Sequence, residues 1–166
     1  METKTDLLDS VIEIERKSIE LYQDFSRQTI VKELSGIFKF LAAEEKSHYE
    51  IVKAWRDNSD SPVLDESQLI PDPNNVFQKL ADHFNTYGIP ATHYYDAYDK
   101  ARLFEEKSIA FYESLAEQIS EGQKKLLGKI IDQEKKHTEF FINLLEFLRH
   151  PGEWIENAEW YHLEAY

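Results

Sequence analysis

Cysteine is absent from the 166-residue chain, and glycine and proline are scarce, at five residues each. Without cysteine the chain cannot form disulfides, a thiol nucleophile, an iron–sulfur cluster or a Cys-type zinc site, so any metal must take oxygen and nitrogen ligands. The scarcity of helix breakers leaves long uninterrupted segments, and none of them shows the alternation typical of strands. These absences favour an all-helical protein.

Long apolar runs and an excess of positive charge are also missing. No stretch of about 18 apolar residues could span a bilayer, and no early apolar run resembles a signal sequence. The formal net charge of −13 disfavours nucleic acid and acidic membranes as partners. We therefore expect a cytoplasmic protein, and the length with 42% hydrophobic residues predicts one domain over residues 1–166.

Apolar residues recur at helical spacing in four long segments. A loop over Asn58–Pro73 and a shorter helix over Asn74–Tyr87 separate the second segment from the third and form a long crossover. The pattern predicts an antiparallel four-helix bundle with a short C-terminal segment. The predicted long helices are approximately Thr5–Thr29, Lys32–Arg56, Thr92–Ser120, with Thr92 as its N-cap, and Glu121–Arg149.

Two Glu-x-x-His pairs lie on apolar helix faces, at Glu45/His48 and Glu134/His137. Positions i and i+3 of a helix share one face, so the carboxylate and the imidazole of each pair can converge on one ion. One such pair alone is more often a surface Glu beside an ordinary His. Both pairs together with two further inward glutamates, Glu15 and Glu105, make a metal site the better interpretation.

Two single glutamates, Glu15 and Glu105, complete an internal duplication. The sequence that follows Glu15 resembles the sequence that follows Glu105, 90 residues later. The two Glu-x-x-His pairs are separated by nearly the same distance, 89 residues, so a two-helix unit occurs twice. If each helical hairpin turns at its midpoint, arms of about 15 residues return both glutamates of that hairpin to one level. All six candidate side chains then meet in the middle of the bundle.

Four carboxylates in an apolar interior would be strongly unfavourable by themselves. Two divalent cations would balance four ionised Glu and two neutral His side chains. Mixed carboxylate and imidazole ligation suits two iron ions, and manganese or zinc could occupy the same groups.

The chain resembles the ferritin-like superfamily, and more closely the rubrerythrin-like proteins, over its four long helices. The motifs are Glu15-x6-Tyr22, Leu41-Ala-Ala-Glu-Glu-Lys-Ser-His48, Glu105-x6-Tyr112 and Ile131-Asp-Gln-Glu-Lys-Lys-His137. The resemblance implies that Glu45 and Glu134 bridge the metals, and that Tyr22 and Tyr112 orient ligand carboxylates. The implied iron ligands are Glu15, Glu45, His48, Glu105, Glu134 and His137.

Two departures from rubrerythrins proper matter. Those proteins carry a Cys-ligated rubredoxin domain, so the lack of cysteine here implies that electrons come from a separate donor. They also carry an extra Glu one turn after the third-helix ligand, where this sequence has Ser108.

The remaining polar candidates receive no role in the metal site. Four glutamates fall off the apolar stripes and are expected to be solvated: Glu13, Glu20, Glu44 and Glu106. Four histidines lie outside the repeat and are left unassigned: His83, His93, His150 and His162. Aromatic residues near the C-terminus are expected to cap the bundle or to form a dimer contact: Trp154, Trp160, Tyr161 and Tyr166.

Three functions remain open at this point. The leading hypothesis is a di-iron oxidoreductase that reduces peroxide or dioxygen and is expected to be a homodimer. The alternative is a ferritin-like ferroxidase for iron handling, for which a storage protein should form a large hollow shell. The third is a metal-free helical scaffold or binding protein, which predicts that chelation leaves stability unchanged.

Overall fold

A computed structural model of the chain describes residues 2–29, 31–88 and 91–152. Every regular element within these ranges is helical, as the sequence predicts. The elements in chain order are α1 (Lys4–Gln28), α2 (Lys32–Arg56), α3 (Pro73–Tyr87), a 3₁₀ turn (Ala91–Tyr94), α4 (Tyr95–Ala116) and α5 (Glu121–Arg149). The four long helices form two hairpins, α1 with α2 and α4 with α5, which are joined by a crossover that includes α3.

The first hairpin starts at a capped helix end and turns at the predicted place. At the start of α1, Thr3 and Asp6 form a capping box in which the Thr3 side chain accepts a hydrogen bond from the Asp6 amide. Helix α1 ends just before the β-branched run at 29–31, where helix propensity is low. Ser35 Oγ then donates to the Ser26 carbonyl at 2.7 Å and joins the two helix ends across the turn.

The second hairpin differs from the prediction at two boundaries. Ser120 is not the end of α4 but the N-cap of α5, because its side chain accepts from the Gln123 amide. An N-cap needs extended backbone, so α4 cannot continue through Ser120 and ends at Ala116. The prediction of Thr92 as an N-cap is also wrong, since a 3₁₀ turn occupies 91–94 and the capping position is Tyr94.

Two apolar clusters fill the ends of the bundle. One contains Phe38 and Phe141, and the other contains Val11 and Ile51. In each long helix the inward Glu or His residues lie, by sequence, between the residues of one cluster and those of the other. The bundle therefore has a polar layer at mid-height, enclosed above and below by apolar side chains.

The crossover passes over the outside of the bundle. Residues 59–72 have no regular helix, as predicted, but Leu64 is only 7% exposed and belongs to the apolar cluster that includes Trp55. Helix α3 follows and stacks Phe77 on Phe147 of α5, with ring centroids 5.0 Å apart. No helix within the described residues combines the length and apolar content that crossing a bilayer requires. The C-terminal aromatic residues and His162 lie outside the described residues.

Candidate metal centre

All six sequence-predicted ligand side chains lie in the polar layer. Helices α1 and α4 contribute one glutamate each, while α2 and α5 contribute one Glu-x-x-His pair each. The members are at most 1% exposed: Glu15, Glu45, His48, Glu105, Glu134 and His137. The helical periodicity of the sequence therefore placed each of them on the correct face.

The ligand atoms of these residues form two overlapping groups. One group joins Glu15 and His48 to Glu45 and Glu134, and the other joins Glu105 and His137 to the same two glutamates. Within each group the candidate donor atoms all lie within 4.8 Å of one another. Two neighbouring groups of candidate ligand atoms therefore share Glu45 and Glu134.

The imidazoles connect the two hairpins crosswise. His48 Nδ1 lies 2.8 Å from Glu134 Oε1, and His137 Nδ1 lies 2.8 Å from Glu45 Oε1. Each Nδ1 is also near the glutamate of its own pair, at 3.6 Å for Glu45 and 3.7 Å for Glu134. The ring centroids are 6.1 Å apart. Both Nδ1 atoms thus face the shared carboxylates.

The two tyrosines connect α1 to α4 at the same level. Tyr22 donates to Glu105, and Tyr112 donates to Glu15. Both tyrosines are fully buried, and burial raises the pKa of each well above its usual range, so their hydroxyl groups keep their protons. Each single glutamate therefore has a fixed donor from the opposite hairpin.

The outer nitrogens of the histidines contact two residues that the sequence analysis missed. His48 Nε2 lies 2.8 Å from Gln133 Oε1, and His137 Nε2 lies 2.7 Å from Glu44 Oε2. The expectation that Glu44 is solvated is wrong, because its side chain reaches across from α2 to α5 and is only 13% exposed. Glu44 and Gln133 each immediately precede the glutamate of a Glu-x-x-His pair, and this shared repeat position was the signal available in the sequence.

Without metal, the carboxyl groups divide into protonated and ionised members. Burial, and then the charges of Glu45 and Glu134, raises the pKa of Glu15 and of Glu105 well above the usual range. Burial opposes ionisation of Glu45 and Glu134 as well. Hydrogen bonds with the neighbouring carboxyls and the nearby histidines nevertheless hold the pKa of Glu45 well below its usual range and that of Glu134 at about 2.

The histidines balance the two ionised carboxylates. Burial disfavours the charged imidazole, but the Glu134 carboxylate raises the pKa of His48 to about 10. Glu105 and Glu45 likewise raise the pKa of His137 well above its usual range. In the metal-free layer these shifts favour protonated Glu15 and Glu105, ionised Glu45 and Glu134 and charged histidines, an arrangement that limits the net charge in a low-dielectric interior.

Three carboxyl oxygens of the cluster test whether the site fits metal ions. Glu15 Oε2, Glu45 Oε2 and Glu134 Oε2 are buried and have no hydrogen-bond donor among the described residues. Glu15 and Glu45 can form a hydrogen bond with each other only if one of the two carboxyl groups holds a proton. Divalent cations would satisfy these oxygens and replace the protons that the cluster otherwise needs. The donor set of four carboxylates and two imidazoles fits two such ions.

The other candidate residues lie away from this centre. Glu13 and Glu20 are exposed and pair with Arg16, and Glu106 pairs with Arg102, as expected for solvated helix faces. The two overlapping groups above are the metal-type clusters within the described part of the chain, and they include none of His83, His93 and His150.

A four-helix bundle with this buried layer defines the class of ferritin-like dinuclear carboxylate proteins. The family model described as Rubrerythrin matches residues 6–145, and the chain belongs to the rubrerythrin family. A crystal structure from Thermotoga maritima, described as a candidate ferritin-like diiron-carboxylate protein, has the same fold at a TM-score of 0.62 and 24% sequence identity. The similarity covers 90% of this chain and 97% of that one. Comparison with curated proteins finds no match.

Proposed function

We propose that the protein is a di-iron oxidoreductase that reduces peroxide or dioxygen with electrons from a separate donor. The observation that carries this proposal is the buried layer of four glutamates and two histidines, in which three carboxyl oxygens have no hydrogen-bond donor from the described part of the chain. When bound, a pair of ferrous ions supplies two electrons, which with two protons convert one peroxide molecule into two waters.

The chain's own contribution is to fix the donor atoms. Glu45 and Glu134 belong to both groups of donors, so they would bridge the ions, while Glu15 and Glu105 would each serve one ion. His48 and His137 would bind through Nδ1, because Nε2 of each ring is directed to Gln133 or Glu44.

Tyr22 and Tyr112 would hold the outer carboxylates in place. Each hydroxyl donates to one glutamate and keeps its proton, so it limits how that carboxylate can rotate when an ion binds or leaves. The apolar clusters on both sides of the layer exclude bulk water and restrict the escape of reactive oxygen species.

The source of electrons is a separate part of the proposal. The sequence has no cysteine and so no thiolate-ligated electron-transfer site of the rubredoxin type. We therefore propose an external electron donor, and we retain the homodimer as the expected assembly.

Metal analysis and rapid kinetics test the proposal. Protein purified without added metal is expected to bind two iron ions, and its ferrous form is expected to react faster with peroxide than with dioxygen in stopped-flow spectra. Glu45→Gln and Glu134→Gln keep the side-chain shape and should reduce the metal content. Glu13→Gln, on an exposed face, should leave it at two.

Other outcomes would select the alternatives. Preferential reaction with dioxygen by a large hollow assembly would favour the ferroxidase for iron handling. Unchanged metal content in the Glu45→Gln and Glu134→Gln variants would reject the assigned site. A chain that binds no metal at all would be the helical scaffold or binding protein.

A further inference from the structure

Gln133 makes a second contact beyond the one to His48. Its amide nitrogen donates to the backbone carbonyl of Asp65 in the crossover at 3.2 Å, while its amide oxygen lies 2.8 Å from His48 Nε2. A backbone carbonyl can only accept, so the nitrogen must face Asp65 and the oxygen must face His48. His48 Nε2 therefore carries the proton and donates a hydrogen bond to Gln133 Oε1, and Nδ1 is left to face the carboxylates.

Three neighbouring residues attach the crossover to the bundle at this level, and we call residues 64–66 the strap. Leu64 is buried in the apolar cluster that includes Trp55, whereas the preceding Val63 is 92% exposed. The Asp65 carbonyl accepts from Gln133, and Glu66 pairs with Lys129 of α5 at 2.6 Å. A segment without regular structure is thus fastened by an apolar anchor, a hydrogen bond and an ion pair.

The strap also borders two pockets that are lined by the residues in contact with both histidines. Two small pockets, of about 100 and 170 Å³, open beside it, and both are lined by Glu44, Gln68 and Gln133. Glu44 and Gln133 are the residues that contact the histidine Nε2 atoms. The strap residues therefore line the same pockets as the two residues that contact the histidines.

We infer that Gln133 couples the strap to the metal centre. The attached strap holds the amide of Gln133, and the amide holds the His48 ring with Nδ1 directed towards the metal position. Releasing the strap should then weaken metal binding on the His48 side, and by thermodynamic reciprocity a bound ion should stabilise the attached strap by the same free energy. Gln133 acts through His48, so it is a positioning residue.

The first test releases the strap without altering any residue of the polar layer. Leu64→Ala removes the apolar anchor, and Val63→Ala is the matched control at the exposed neighbouring position. Titration with Zn(II) against a chelating indicator should show one of two bound ions weakened about tenfold by Leu64→Ala. Val63→Ala should leave both affinities unchanged. Wild-type affinities in the Leu64→Ala variant would overturn the coupling.

The second test asks whether the effect passes through Gln133. Gln133→Leu removes both contacts and should itself weaken one Zn(II) ion about tenfold, and Leu64→Ala should add nothing in that background. Gln133→Glu keeps an acceptor for His48 but has no donor for Asp65, so its Zn(II) affinity should be insensitive to Leu64→Ala. Additive losses in either background would show that Gln133 does not transmit the effect.

One further readout and the use of zinc separate this coupling from other causes. Unchanged helix content by circular dichroism in every variant would exclude a folding defect as the source of a lost ion. The coupling depends on the metal centre proposed above but not on its redox reaction. Zinc is not redox-active, so a failure of peroxide or dioxygen reduction would leave these measurements interpretable.

Discussion

The hydroxyl of Tyr112 on α4 donates to Glu15 on α1, and the duplicated pair, Tyr22 and Glu105, makes the same contact in the opposite direction. Because α1 and α4 belong to different hairpins, these two bonds join the halves of the duplication at the level of the metal centre. The two tyrosines thereby connect α1 and α4 at the level of the candidate ligands.

Replacing Tyr112 by Phe should therefore affect both binding and folding. The change removes the donor to Glu15 while keeping the ring, and we expect about tenfold weaker binding of one Zn(II) ion and a loss of about 1–2 kcal/mol in the free energy of unfolding. Chelator competition and urea denaturation measure the two effects. Tyr87→Phe, at a residue that is 68% exposed, is the control and should change neither. Equal behaviour of the two variants would contradict the role given to Tyr112.

Metal binding should release protons. The raised pKa values of Glu15, Glu105, His48 and His137 predict that the metal-free protein retains protons on these groups that their metal-binding forms lack. Loading divalent ions in weak buffer should therefore release protons. A pH indicator measures the release directly, and loading without any release would show that the metal-free layer is not protonated as described.

The stability of the metal-free protein should depend on pH in a defined direction. The pKa values of Glu15 and His48 are raised in the folded state, so the folded protein keeps protons that the unfolded chain loses above pH 4.5 and pH 6.5 respectively. The stability that each group contributes therefore falls as pH rises, and the contribution of His48 is lost by about pH 10. The lowered pKa of Glu134 has the opposite effect, and its contribution is lost as pH falls from 4.5 to about 2. The metal-free protein should therefore be most stable near pH 4.5 and should lose stability as pH rises above that value.

Thermal denaturation with and without metal tests this pH dependence. The metal-free melting temperature should fall from pH 6.5 towards pH 10, whereas the Zn(II)-loaded protein should not lose stability in the same way, because its ligands no longer hold protons. Parallel pH profiles for the two forms would be inconsistent with proton-for-metal exchange in the polar layer.

Periodicity predicted the inward-facing residues because a helix of known register has fixed faces. The 90-residue repeat between Glu15 and Glu105 and the i, i+3 spacing of Glu45 and His48 placed these side chains at one depth, and the structure brings their atoms together. The long crossover and its short helix were also predicted correctly, since the composition around Pro73 changes sharply.

The residues that periodicity could not place are those whose contacts depend on side-chain reach. Glu44 starts from a position beside the apolar stripe of α2 and reaches His137 on α5, and no pattern within one helix encodes that distance. Gln133 similarly extends to His48 and to the crossover. The predicted end of α4 was wrong for a local reason. Ser120 could either end one helix or cap the next, and its capping box with Gln123 makes it the N-cap of α5.

Ser108 offers the sharpest test of how this chain departs from rubrerythrins proper. Its side chain is 2% exposed on the inward stripe of α4, one turn from both Glu105 and Tyr112, and its Oγ has no hydrogen-bond partner among the described residues. Ser108→Glu would add a fifth carboxyl group to the polar layer. In the metal-free protein we expect this substitution to lower the free energy of unfolding by about 2–3 kcal/mol, because it overpacks the interior and buries another carboxyl group.

Metal should offset part of that loss, because divalent ions can neutralise an additional carboxylate that water no longer solvates. Urea denaturation of the metal-free and Zn(II)-loaded forms measures both quantities. Ser114→Glu makes the same change on the exposed face of the same helix, and it should alter stability by no more than about 0.5 kcal/mol in either form. If the free energies of unfolding of the two variants differed as much with Zn(II) as without it, position 108 would not be close enough to the ions for its carboxylate to be neutralised.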